Sequence, residues 1–231
     1  MPAPLSLVIP TLNAGAALPR ALACLVPAAE GGLVREVIVS DGGSTDGTLM
    51  LADAAGCVVV TGGAGRGAQL ARGAAAARGG WLLFLHADTV LSDGWPVAAA
   101  RQLDRPGQAA AFRLAFDREG LRPRLVAGGA NLRARLARLP YGDQGLLIPR
   151  ALYEAIGGYD AELPLFEDVD LVRRLVAARG RGALQLLPAT ARSSPVRYER
   201  QGYARRVLSN QLLLARYLAG ASPRDLALAY R

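Results

Sequence analysis

The 231-residue chain carries 27 arginines, no lysine and a single histidine, for a formal net charge of +8. Its 52% hydrophobic and 20% charged content excludes a disordered chain, and no run of about 18 apolar residues is present to span a bilayer. The length suits one α/β domain that buries roughly 70–75% of the surface its unfolded form exposes, so disulfides are not needed for folding.

Residues 1–4 lack a basic region and run directly into apolar sequence, so no secretory leader is expected and the expected location is cytoplasmic. Residues 5–9 predict a buried strand, followed by a helix over 16–26. A second strand is predicted at 36–40, a helix over 45–55, a third strand at 57–61, an alanine-rich helix over 67–78 and a fourth strand at 81–85. Continuous apolar strands separated by helices imply a mostly parallel sheet covered on both faces, an α/β fold. The second half is less regular: a strand at 110–116, a basic helix over 122–138, a short strand at 145–148, helices over 151–156 and 167–178, and a last strand at 184–187. An amphipathic helix is predicted over 203–219, with Val207, Leu208, Leu214 and Leu218 on one face and Arg205, Arg206 and Arg216 opposite. One domain spans the chain. It divides into residues 1–100, residues 101–202 and a C-terminal helical segment over 203–231.

Charge is unevenly divided: net −2 over residues 1–100, +6 over 101–138, −6 over 139–172 and +10 over 173–231. Dispersed arginine, absent lysine and 44 alanines are the mark of a high-GC coding bias. With no recognisable nucleic-acid module and no basic–aromatic interleaving, no nucleic-acid partner is expected. Cys24 and Cys57 form no close pair and read as reduced thiols, and with one histidine they exclude a structural zinc site.

In open α/β sheets ligands bind beyond the carboxyl ends of the strands. Each early strand ends there in a polar cluster: Pro10-Thr11-Leu12-Asn13, Asp41-Gly42-Gly43-Ser44-Thr45-Asp46-Gly47, Gly62-Gly63-Ala64-Gly65-Arg66-Gly67 and His86-Ala87-Asp88. Later come Gly142-Asp143-Gln144-Gly145, Gly157-Gly158-Tyr159-Asp160 and Glu167-Asp168-Val169-Asp170. In this order, over roughly residues 4–180, these segments resemble a family 2 glycosyltransferase of the GT-A fold, a Rossmann-related architecture. Two positions depart from the usual pattern. Gly42 stands where the family has a second Asp, and His86 where it has the first Asp of Asp-x-Asp. The combination of His-Ala-Asp with Gly-Asp-Gln-Gly resembles a bacterial subgroup of that family.

The resemblance implies transfer of a sugar from a nucleoside-diphosphate sugar to an acceptor hydroxyl, inverting and dependent on Mg²⁺ or Mn²⁺. It makes residues 1–100 the nucleotide-binding half and 101–202 the acceptor and catalytic half, and assigns Asp168 as the catalytic base with Glu167 beside it. Pro10, Thr11, Asn13, Asp41, Arg66, Gly67 and Ala87 would contact the nucleotide sugar, Asp88 and His86 the metal, and Asp143 and Gln144 the acceptor. These residue types suit the chemistry. A hard cation favours carboxylate oxygen and stabilises a departing diphosphate, and a carboxylate can take the acceptor's proton. His86 admits two readings, a neutral metal or hydrogen-bonding ligand and a cationic phosphate partner.

Each residue also has a plainer role. Asp168 satisfies an acidic first helical turn, Asp41 and Asp46 a turn, and Asp88 a cap. A rival motif, Gly63-x-Gly65-x-x-Ala68 with Asp88 twenty residues beyond Ala68, fits a dinucleotide fingerprint. It falls on the third strand instead of the first and leaves the Asp41 and Glu167-Asp168 segments unexplained. Competing with the enzyme are a non-catalytic nucleotide- or glycan-binding regulatory homologue and a membrane-peripheral scaffold. In the latter, 203–219 lies on anionic lipid, and the same placement would bring an enzyme to a lipid-linked acceptor.

Overall fold

In the computed structural model, which describes residues 3–229, strand β1 (Leu5–Thr11) is followed by two short helices, α1 (Leu18–Ala23) and α2 (Val26–Glu30). Next come β2 (Val34–Asp41), α3 (Thr48–Ala54), β3 (Val58–Thr61), α4 (Arg66–Ala76) and β4 (Trp81–Phe84). The chain continues through β5 (Val90–Leu91), α5 (Trp95–Leu103), β6 (Ala109–Phe116), α6 (Leu121–Leu136) and a 3₁₀ turn at Gly142–Gln144. It ends with β7 (Leu146–Pro149), α7 (Arg150–Ala155), α8 (Glu167–Arg179), a second 3₁₀ turn (Arg181–Ala183), β8 (Leu184–Ser193), α9 (Val196–Gln201), α10 (Tyr203–Leu218) and α11 (Pro223–Ala229).

The strands form one sheet in the order β3-β2-β1-β4-β7-β6-β8-β5. β3, β2, β1 and β4 are mutually parallel, whereas β7 pairs antiparallel with both β4 and β6. β8 runs parallel to β6, and β5 antiparallel to β8. Both sheet faces are buried, and side chains alternate between two cores as the pleat requires. Leu5, Leu7 and Ile9 of β1 join Leu83, Trp95, Phe112 and Leu147 on one face. Val8 joins Ile38, Leu82, Phe84, Ile148 and Leu171 on the other. This two-sided burial explains why the early strands read as unbroken apolar runs. Gly73 lets α4 lie directly on β1, since a Cβ there would sit 2.4 Å from Val8 Cγ1.

Several expectations are corrected. The helix expected over 16–26 is two helices, the second beginning at Val26 with Pro27 in its first turn. A proline is tolerated there because it would donate no helical bond, but it cannot continue a preceding helix. β8 runs six residues beyond the expected 187. β5, α5, α9 and α11 had no counterpart in the expectation. The helix expected over 203–219 forms, but with a different packed face. Arg206, Leu213 and Leu214 are buried, while Leu208 is 71% and Leu218 45% exposed. The cause is tertiary: Leu213 and Leu214 pack with Leu165, Phe166, Val169 and Leu226, and Tyr217 stacks on Phe166 at 4.9 Å between centroids. Among the described residues no helix is long and apolar enough to cross a membrane. Both cysteines are unbridged.

Candidate active site

The parallel register brings the carboxyl ends of the first strands to one rim. Thr11 lies opposite Asp41, and Asp41 opposite Thr61. Because β7 is antiparallel to β4, Leu146 faces Phe84, so the segment entering β7, Tyr141 to Gly145, arrives beside His86 just beyond β4. Parallel pairing of β6 and β8 sets Phe116 against Ser193 at the same rim. A cleft of about 750 Å³ opens there, with Pro10, Thr11, Asn13, Arg66, His86, Ala87, Asp88, Asp143 and Asp168 in its lining.

Asp168 is in the first turn of α8, where the helix dipole favours a carboxylate. Its Oδ2 accepts the backbone N–H of Gly142 at 2.5 Å and its Oδ1 that of Val169 at 2.7 Å. Phe166, just before the helix, adopts a left-handed backbone at φ 65° and is anchored by the α10 contacts described above. Gly142 is also where His86 comes closest: a Cβ at 142 would lie 2.7 Å from His86 Nε2 and 3.3 Å from Asp168 Oδ2. His86, Gly142 and Asp168 therefore form one tight cluster drawn from three distant segments. Burial, together with the charges of Arg66 and Arg197, lowers the His86 pKa to about 3 and leaves a neutral imidazole. This favours the neutral-ligand reading over the cationic one. Burial and the neighbouring charges of Asp168 and Asp88, opposed by Arg133 and Arg66, push Asp143 up to about 6. Its Oδ1 is buried without a hydrogen-bond partner among the described residues.

Four of the expected contacts are absent from the cleft lining: Asp41, Gly67, Gln144 and Glu167. Asp41 is fully buried beneath the rim. Its Oδ1 accepts the hydroxyls of Thr11 (2.9 Å) and Ser44 (2.5 Å), and its Oδ2 the N–H groups of Gly43 (2.8 Å) and Ser44 (2.7 Å). Burial alone would raise its pKa, but these hydrogen bonds hold it below the ordinary carboxylate value. Asn13 extends this scaffold, accepting the Thr45 N–H at 2.9 Å, while Asp46 accepts the Thr48 N–H at 3.0 Å ahead of α3. Gly42 leaves room for the Gln69 amide, which donates to the carbonyls of Thr11 and Ser40 at 2.6 and 2.9 Å. Gly67 allows α4 to approach the Asp160 carbonyl, which a Cβ would meet at 2.5 Å. Gln144 is fully buried and donates to the Phe112 carbonyl at 3.0 Å. Glu167, 1% exposed, forms an ion pair with Arg66, and burial beside Asp168 raises its pKa against that pairing.

The lining also includes residues that the sequence did not single out: Phe116, Tyr141, Ser194, Arg197, Arg200, Arg206 and Asn210. Of these, Arg197, Arg200 and Arg206 belong to the +10 excess after residue 172, whereas the uncharged ones carry no such trace. No group of three or more His, Cys, Asp or Glu side chains converges on a metal position among the described residues. Of the two residues expected to hold a divalent cation, His86 offers a neutral imidazole and Asp88 an exposed carboxylate, types that can each supply one ligand.

The mixed sheet with its cleft beyond the strand ends has the architecture of the GT-A fold. The sequence profile of Glycosyl transferase family 2 matches residues 6–149, and the chain belongs to that family. It is a glycosyltransferase. Its fold is similar to that of glucosyl-3-phosphoglycerate synthase from Mycobacterium tuberculosis, crystallised with Mn²⁺, UDP and glucosyl-3-phosphoglycerate. The TM-score is 0.60 and the identity 24%, with 90% of this chain and 78% of that one covered. It is also similar to S. aureus TarS, at TM-score 0.58 and 17% identity, covering 83% of this chain and 35% of the other. No curated protein matches the sequence significantly.

Proposed function

We propose that the protein carries out an inverting, metal-dependent transfer of a sugar from a nucleoside diphosphate to an acceptor hydroxyl, with Asp168 as base. The observation that supports this is the contact of Asp168 and the His86 imidazole with the same residue, Gly142, within the cleft. Residues 1–100 would bind the donor and 101–202 the acceptor. Asp41, through its bonds to Thr11 and Ser44, would hold the loop that takes the nucleoside. Pro10, Thr11, Asn13 and Ala87 would line the donor side. His86 and Asp88 would hold Mg²⁺ or Mn²⁺, which when bound supplies positive charge to the departing diphosphate. Arg66 and Arg197, whose charges both bear on His86, would add to that field.

In the transfer the acceptor oxygen forms a bond to the anomeric carbon as the bond from that carbon to the phosphate oxygen breaks. The hydroxyl proton passes to Asp168, and the nucleoside diphosphate leaves as an anion. Asp143, raised towards neutrality in its pocket, would hydrogen-bond the acceptor. Glu167 would keep Arg66 in place without touching substrate. The acceptors and donors in the similar structures, phosphoglyceric acid and UDP-glucose, make UDP-glucose the first donor to test. The test is calorimetry with UDP-, GDP- and dTDP-sugars, with and without Mn²⁺. The expected result is one preferred donor, bound at least about tenfold more tightly with metal and slowly hydrolysed. Nucleotide binding that ignores metal and never turns over would replace this reading with a regulatory one.

A further inference from the structure

Helix α6 is amphipathic in the wrong sense for a helix that only covers a sheet. The side chains it buries are small: Pro123, Ala127, Ala130 and Ala134. Its large apolar side chains point outward, with Leu121, Leu125, Leu132 and Leu136 exposed by 72%, 64%, 56% and 60%. At 3.6 residues per turn these four leucines fall within a sector of about 60°, opposite the buried alanines. Arg122 lies about 40° beyond one edge of the stripe, and Arg135 and Arg124 about 40–60° beyond the other. All three are exposed.

The orientation is fixed. Asn131 Oδ1 accepts the Leu114 N–H at 2.7 Å and its Nδ2 donates to the Leu114 carbonyl at 3.0 Å, so α6 is clamped to β6 and cannot roll its leucines inward. Helix α10 packs against α6 and adds Leu208 and Leu212, 71% and 60% exposed, with exposed Arg205 and Arg216 alongside. Exposed apolar side chains gathered on two neighbouring helices mark an interaction site.

Charge identifies the occupant. Residues 121–138 contain five arginines and no acidic residue. Two copies joined through this stripe would bring like-charged rows together, whereas an anionic lipid surface is complementary to them. Leucines enter the acyl boundary of such a surface while flanking arginines reach the head groups. We propose that α6, with the outward face of α10 beside it, docks the protein on an anionic membrane surface. Both helices border the cleft: Arg206 and Asn210 of α10 line it, and Arg133 of α6 stacks 3.5 Å over the ring of Tyr141, another lining residue. Docking would hold the cleft next to the lipid surface.

The test is flotation of the full chain with phosphatidylcholine vesicles, either alone or containing roughly one-third phosphatidylglycerol. The readout does not depend on transfer activity, so it stands or falls apart from the proposed reaction. The expected result is flotation with the anionic vesicles only, weakened by salt and reduced about tenfold or more by Leu125→Glu with Leu132→Glu. Arg122→Gln with Arg135→Gln, which keeps the leucines, should weaken it as well. Both sets of side chains are exposed, so an unchanged melting temperature is expected and separates lost docking from misfolding. Binding to neither vesicle, or flotation indifferent to both double variants, overturns the proposal. A dimer in solution that Leu132→Glu dissociates would overturn it too, by assigning the stripe to a second copy of the chain.

Discussion

The backbone N–H of Gly142 donates to Asp168 Oδ2 at 2.5 Å, which fixes the proposed base from outside its own helix. A carboxylate aimed this way has its other lone pairs left for a hydroxyl proton. Asp168→Asn keeps the size of the side chain but removes its basicity. Transfer should fall by about 10²–10⁴-fold, with donor affinity nearly retained. Steady-state turnover alongside donor calorimetry reads both, and turnover close to that of the parent would remove Asp168 from the role.

Gly142→Ala tests the cluster as a unit. The new methyl would sit 2.7 Å from His86 Nε2, and a planar imidazole cannot yield as a flexible chain does. The ring or the backbone at 142 must shift, which disturbs the spacing of His86 and Asp168. Overpacking of this kind costs about 1–3 kcal/mol. The loss of transfer should exceed what the drop in thermal stability accounts for, and metal-supported donor binding should weaken. A variant with ordinary kinetics would show that His86 need not hold this position.

Glu167 and Arg66 yield a pH prediction. Burial raises the Glu167 pKa, so the folded state holds this proton more tightly than the unfolded chain does. Its contribution to stability is fully present below the ordinary carboxylate range and is lost as pH climbs through the raised folded value. Arg66 offsets that loss. Arg66→Met should therefore destabilise the protein by about 1–2 kcal/mol, a figure reduced for the solvent exposure of the arginine, and by more near pH 8 than near pH 5. Urea unfolding at the two pH values measures the difference. An equal penalty at both would show that the ion pair carries no net charge effect.

Asp41 accepts four hydrogen bonds with one carboxylate, a capacity that an amide lacks. Asp41→Asn should cost about 1–3 kcal/mol by leaving the buried Thr11 hydroxyl and the part-buried N–H groups of Gly43 and Ser44 short of acceptors. Nucleotide affinity should decline with it, although Asp41 does not reach the cleft. Thermal melts with and without nucleotide check this, and unchanged affinity in a destabilised variant would confine Asp41 to folding.

Much of this protein is local in origin. The strands at 5–11, 34–41 and 81–84 were legible because both sheet faces are buried, which writes an unbroken apolar run into the sequence. The polar clusters at their ends were legible because parallel strands share one carboxyl rim. The acidic start of α8 was legible from its own first turn. The remaining features depend on contacts between distant segments, which no local periodicity encodes. Only antiparallel pairing of β7 with β4 carries Gly142 to His86 and Asp168. Only tertiary contacts bury Asp41 and Gln144 within hydrogen bonds to Thr11, Ser44 and Phe112. α10 carries apolar residues on more than one face, so its own pattern did not decide which would be buried. Packing on Phe166 and Leu165 decided it, placing Arg206 inside and leaving Leu208 and Leu212 outside.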